Sequence, residues 1–124
     1  MINPILEFKF NQSALVKGPE GSFHMTWQVP SDLSYFDGHF PQEPIFPAVG
    51  IIDASIEIIQ LSQNSQALSL KEVSAGKFFR PITPSMTVEI SLAPKQNGRW
   101  KIQWKESGSL LVDLDLRLSS EITN

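Results

Sequence analysis

Apolar residues recur at every second position through the C-terminal half of the chain. Met86, Val88, Ile90 and Leu92 alternate with Thr87, Glu89 and Ser91. Trp100, Ile102 and Trp104 alternate with Lys101 and Gln103, and Leu110, Val112, Leu114, Leu116 and Leu118 run past Asp113, Asp115 and Arg117. A period of two predicts half-buried antiparallel strands over 86–92, 99–105 and 110–118. Asn97-Gly98 and Ser107-Gly108 fall between these runs, where a hairpin needs residues that accept positive φ. A further strand is expected over 68–79, bent at Gly76. Upstream, 14–16 and 23–29 flank Gly18-Pro19-Glu20-Gly21, a turn signal, and Pro30 closes the second of these strands. Residues 5–10 fit a short strand or a turn equally well.

The period changes between 47 and 61. Val49, Ile51, Ile52, Ala54, Ile56, Ile58, Ile59 and Leu61 occupy nearly every side of a 3.6-residue spiral, which predicts a buried helix. Pro47 suits its first position, because its missing N–H is one that a helix start leaves unpaired anyway. The segment is too short and too interrupted by charge to span a bilayer. Asp53 lies about two turns inside this apolar helix, and a carboxylate there needs a partner or a job. The helix is entered from a loop over 31–46, in which Gly38, His39, Pro41, Pro44 and Pro47 restrict the backbone around one imidazole. One long helix and about six strands make an α+β chain.

Composition narrows the range of functions. A length of 124 residues suits one domain, 1–124, with a single core. The formal net charge of -3 argues against bulk attraction to nucleic acid or an anionic membrane surface. With no cysteine in the chain, disulfides and thiolate metal sites are excluded. The first ten residues lack the basic-then-apolar layout of a signal peptide, so a cytoplasmic location is expected. Neither a metal-ligand spacing nor a phosphate-binding glycine loop is present. His24 stands in a strand with no motif around it. Lys71, Lys77, Arg80, Arg99, Lys101 and Lys105 read first as solvated strand charges.

The stretch Gly38-His39-Phe40-Pro41, Pro44-Ile45-Phe46-Pro47 and Asp53-Ala54 resembles the signature of the beta-hydroxyacyl-acyl-carrier-protein dehydratases of bacterial fatty-acid synthesis. That signature is a GHFP, a spaced proline, a Pro-Gly and then an acid followed by Ala in the helix. Weaker similarity extends from about Trp27 to about Ile90 and takes in Lys77-Phe78-Phe79-Arg80-Pro81. The lead-in Val29-Pro30-Ser31-Asp32-Leu33 also looks like the small dehydratases of the aryl-polyene type. The resemblance implies a hotdog fold: an antiparallel sheet wrapped around one long helix, with two protomers paired edge to edge as a homodimer. It also implies an acyl thioester substrate, with acyl carrier protein as its carrier.

Carried over residue by residue, the resemblance makes His39 the base that removes the α-proton beside the thioester carbonyl, a task that suits a neutral imidazole. Asp53 of the partner subunit becomes the acid that protonates the departing β-hydroxyl. Burial in apolar surroundings pushes a carboxyl towards the protonated form that this needs. Gly38, Phe40, Phe46, Ala48, Val49 and Glu57 are placed against the substrate, and the first amides of the helix face its carbonyl. Lys77 and Arg80 would receive an acidic carrier protein if they cluster at the tunnel mouth. The elimination requires no cofactor and no metal.

Two departures stand out. Ala48 replaces the usual Gly, which keeps the amide but adds a methyl where substrate should pass. Glu57 replaces the usual Gln, four residues after Asp53 on the same helical face. The rival readings are a hotdog thioesterase, which would activate water with a carboxylate, and a non-catalytic acyl-binding protein whose site Ala48 has narrowed.

Overall fold

The computed structural model describes residues 8–37 and 44–120. Six strands form one antiparallel sheet: β1 (Val16–Lys17), β2 (Phe23–Gln28), β3 (Leu68–Phe78), β4 (Thr87–Pro94), β5 (Arg99–Glu106) and β6 (Ser109–Ser120). Their spatial order is β1-β2-β4-β5-β6-β3. A single long helix, α1 (Ala48–Gln63), packs against the sheet. This is the expected hotdog architecture.

Alternation dictates which face of each strand is covered. Met25 and Trp27 of β2, Val88, Ile90 and Leu92 of β4, Trp100, Ile102 and Trp104 of β5, and Val112, Leu114, Leu116 and Leu118 of β6 are all buried. The intervening residues carry the polar face. There Lys101 Nζ lies 2.7 Å from Asp113 Oδ1 and 3.4 Å from Asp115 Oδ2. Its ammonium is held above its ordinary value, first through the hydrogen bond to Asp113, although partial burial opposes the shift. Ser107 and Gly108 both have positive φ and form the two-residue connection between β5 and β6. At the β4–β5 turn, Asn97 and Gly98 take the same left-handed region. A Cβ on Gly98 would run into the Leu118 carbonyl, so glycine is required there for space as well as for φ.

The helix starts at Ala48, with Pro47 as its N-cap rather than its first residue. It runs two residues past the expected end. Asn64 then turns left-handed (φ 52°), as residues that close helices do. Gln12 Nε2 donates to Leu61 O at 3.0 Å and to Asn64 Oδ1 at 2.6 Å, so the last turn is fastened to the N-terminal segment.

Three expectations change. The strand expected over 14–16 is instead Val16–Lys17, and Ala14 ends a 3-10 turn over Gln12–Ala14, which the Asn11 side chain caps by accepting from Ser13 N–H. β3 departs from regular pairing between Leu70 and Glu72 and between Val73 and Ala75, not at Gly76, which pairs with Leu114. Finally, α1 is not covered evenly on all sides. Ile51, Ala54, Ser55, Ile58 and Ile59 are buried against the sheet, whereas Ile52 and Ile56 are partly buried and Val49 is 61% exposed. Among the described residues no helix is long and apolar enough to cross a membrane.

Candidate active site

Asp53 sits on the side of α1 turned away from the sheet, beside Val49, Ile52 and Ile56, and is half-buried rather than enclosed. Residues three and four apart share a helical face, so the outer face is an apolar stripe with two carboxylates, Asp53 and Glu57, at its margin. Tyr35, in the 3-10 turn Ser34–Phe36, donates from Oη to Asp53 Oδ2 at 2.7 Å. The sequence reading missed this contact. One signal was available: Gly50 interrupts an otherwise apolar helix three residues before Asp53, and a glycine inside a helix usually has a packing reason. Here the reason is close approach. A Cβ on Gly50 would collide with the Phe46 ring and come within 2.9 Å of Tyr35 Cδ1.

Phe46 is 2% exposed and is the hub of an aromatic cluster. Its ring meets those of Phe8, Trp27, Tyr35, Phe36 and Trp104 at centroid distances of 5.5–6.2 Å. It also lines an open groove of about 380 Å³ at the start of α1, together with Ile45, Ala48, Ile51, Phe78 and Phe79. Phe78 and Phe79 are 45% and 54% exposed, an apolar surface beside exposed Ala48 and Val49. Pro47 supplies no capping side chain to the first helical amides, and Ile51 N–H is the one that bonds back to Pro47 O.

The predicted site residues therefore divide into groups. Phe46, Ala48 and Arg80 border the groove, whereas Asp53 and Lys77 of the same chain do not. Arg80 Nη2 lies 3.7 Å from Glu106 Oε1, and Lys77 stands on exposed β3 opposite Asp113 in register. Glu57 is half-buried and borders a polar pocket of about 390 Å³ with Gln12, Gln60 and Asn64. Gly38, His39 and Phe40 lie outside the described residues. Among the described residues, no group of three metal-ligating side chains occurs.

Residues 16–112 match the family model described as ApeI-like, ApeI dehydratase. A 3-hydroxyacyl-(acyl-carrier-protein) dehydratase, FabZ, of Anaeromyxobacter sp. strain K is 27% identical; the alignment covers 91% of this chain and 71% of that protein. The protein of the same name from Rhodopseudomonas palustris strain HaA2 is 30% identical over 75% of this chain and 63% of its own length. Among solved structures, the dehydratase heterocomplex ApeI:P from Xenorhabdus doucetiae superposes with a TM-score of 0.74 at 18% identity, covering 84% of this chain and 92% of that one.

Proposed function

This chain belongs to the ApeI-like dehydratase family, and on that premise we propose that it eliminates water from a 3-hydroxyacyl thioester, carried on acyl carrier protein, to give the trans-2-enoyl thioester. His39 takes the α-proton. The bond from the β-carbon to its hydroxyl breaks, and Asp53 supplies the proton with which that hydroxyl leaves as water. The Ala48 and Val49 amides, at the positive end of the α1 dipole, face the thioester oxygen as charge develops on it.

The observation that carries this reading is the setting of Asp53. It lies within the matched span, on an apolar helix face, with a phenol fixing one of its oxygens. Within one chain Asp53 does not border the groove at the helix start. In this reading the Asp53 that completes the site comes from a second copy of the chain, which supplies the acid to the His39 of its partner. Two features fit such a copy. They are the Val49–Ile52–Ile56 face of α1, exposed at Val49 and partly buried at Ile52 and Ile56, and strand β3, which among the described residues is paired on one side and carries exposed Val73 and Phe78, with exposed Phe79 just after it. Arg80, at the groove, and Lys77 on the same edge are the candidates to meet an acidic carrier protein.

The test is mass spectrometry of 3-hydroxyacyl thioesters of graded length after incubation with the protein, His39→Ala or Asp53→Asn. The expected outcome is loss of one water by the wild type, with the rate falling about 10²–10⁴-fold in either variant. Release of free acid would replace this reading with the thioesterase. Retention of ligand without any turnover would replace it with the acyl-binding protein.

A further inference from the structure

We propose that Tyr35 is the positioning residue for Asp53, holding the carboxyl so that one named oxygen, Oδ1, delivers the proton. This rests on the dehydratase reading above. A carboxyl on a short side chain rotates broadly about its last torsion, so an acid with no fixed neighbour presents either oxygen in many directions. Tyr35 Oη–H occupies Oδ2 at 2.7 Å and removes that freedom.

Tyr35 is itself fixed. Its ring stacks on Phe8 at a centroid distance of 5.7 Å and an interplanar angle of 7°, and meets Phe46 edge-on at 5.5 Å and 69°. The helix contributes the other half of the arrangement. A side chain on an α-helix leans over the turn N-terminal to its own Cα, so Asp53 leans over Gly50. Because Gly50 has no Cβ, the Tyr35 and Phe46 rings fill the space where one would stand. The phenol therefore arrives alongside the helix at the level to which the carboxyl reaches.

The chemistry favours a phenol in this place. With the proton on Oδ1, Oδ2 is a neutral acceptor. As Oδ1 gives its proton to the leaving hydroxyl, Oδ2 becomes part of a carboxylate, and a hydrogen bond to a charged acceptor is about twice as strong. Tyr35 keeps its own proton throughout. Its bond thus strengthens along the reaction, which is the kind of interaction that raises kcat rather than substrate affinity.

Tyr35→Phe keeps the ring and removes the donor. The expected result is a fall in kcat of about tenfold with KM within twofold of wild type. A kcat within twofold of wild type would overturn the proposal. A substrate-free measurement separates its failure from that of the dehydratase reading: a double-mutant cycle on unfolding with Tyr35→Phe, Asp53→Ala and the pair. Dependence of the Tyr35→Phe effect on Asp53 is expected, and additive effects would overturn the proposal whatever the activity. A wild type that turns over no thioester but shows the coupling would sink the dehydratase reading and leave Tyr35 as the residue that orients Asp53.

Discussion

Trp104 Nε1–H donates to Ser55 Oγ at 3.1 Å, and Ser55 Oγ–H in turn donates to Ile51 O at 2.8 Å. Both side chains are fully buried, and Ser55 is the buried polar residue among the described ones. The bond ties the middle of α1 to β5 and fixes the rotation of the helix, and with it the side on which Asp53 emerges.

Ser55→Ala strands the Trp104 indole N–H where no water reaches it. An unsatisfied buried donor costs about 1–3 kcal/mol, so unfolding in urea should show a lower midpoint with an unchanged slope. Ser55→Thr, which keeps an acceptor, should lose less of that midpoint despite its extra methyl.

Gly50→Ala should also destabilise, against the trend of intrinsic helix propensity. Alanine would favour the helix by about 1 kcal/mol, but its Cβ collides with the Phe46 ring, which five other rings hold in place. Overpacking costs about 1–3 kcal/mol. Thermal unfolding should show a net loss, and turnover should fall as well, because Tyr35 is displaced with Phe46.

Val49→Glu separates the single chain from the dimer. Val49 is 61% exposed in one chain, and an acid in the first helical turn is mildly favourable. A monomer would tolerate the change to within about 0.5 kcal/mol. In a dimer the new carboxylate would enter an apolar interface. Sedimentation should therefore show wild-type dimers and variant monomers, with activity lost alongside. A monomeric, active wild type would contradict the shared site.

Lys101 gives a pH dependence of known sign. Its pKa in the folded chain is raised above 10.5 by Asp113 first, and Asp115 adds to the effect. The Lys101 contribution to stability is thus fully present below 10.5 and is lost as pH climbs through the raised folded value. The gap in melting temperature between wild type and Lys101→Met should be constant from pH 7 to near pH 10 and should narrow above it.

Much of this was legible in the sequence. Val88, Ile90 and Leu92, like Leu114, Leu116 and Leu118, reveal their strands because a pleated chain turns alternate residues to opposite faces. Asn97-Gly98 and Ser107-Gly108 reveal their turns because few residues accept positive φ. The irregular pairing of β3 was not legible, since it is set by register against β6 and not by any residue within β3. The Tyr35–Asp53 bond, which joins residues eighteen positions apart, left a single sign in the sequence, the glycine at position 50 against which the Tyr35 and Phe46 rings pack. The wheel of α1 misled in one respect. Apolarity on every side marks surface that water disfavours, and Val49, Ile52 and Ile56 have it although Val49 is exposed and the other two are only partly buried within their own chain.

Strand β3 has a consequence for the life of the newly made chain. An exposed strand edge is a template on which any extended segment can add, and from Lys71 to Phe78 this one is exposed at every residue. Its two register shifts and the charges of Lys71, Glu72 and Lys77 interrupt that template without removing it. Such a chain is safest when its proper neighbour is abundant. Released at a dilution that leaves it without that neighbour and then concentrated, it should drift towards β-rich aggregates. Growth from this edge should slow when a lysine replaces Val73.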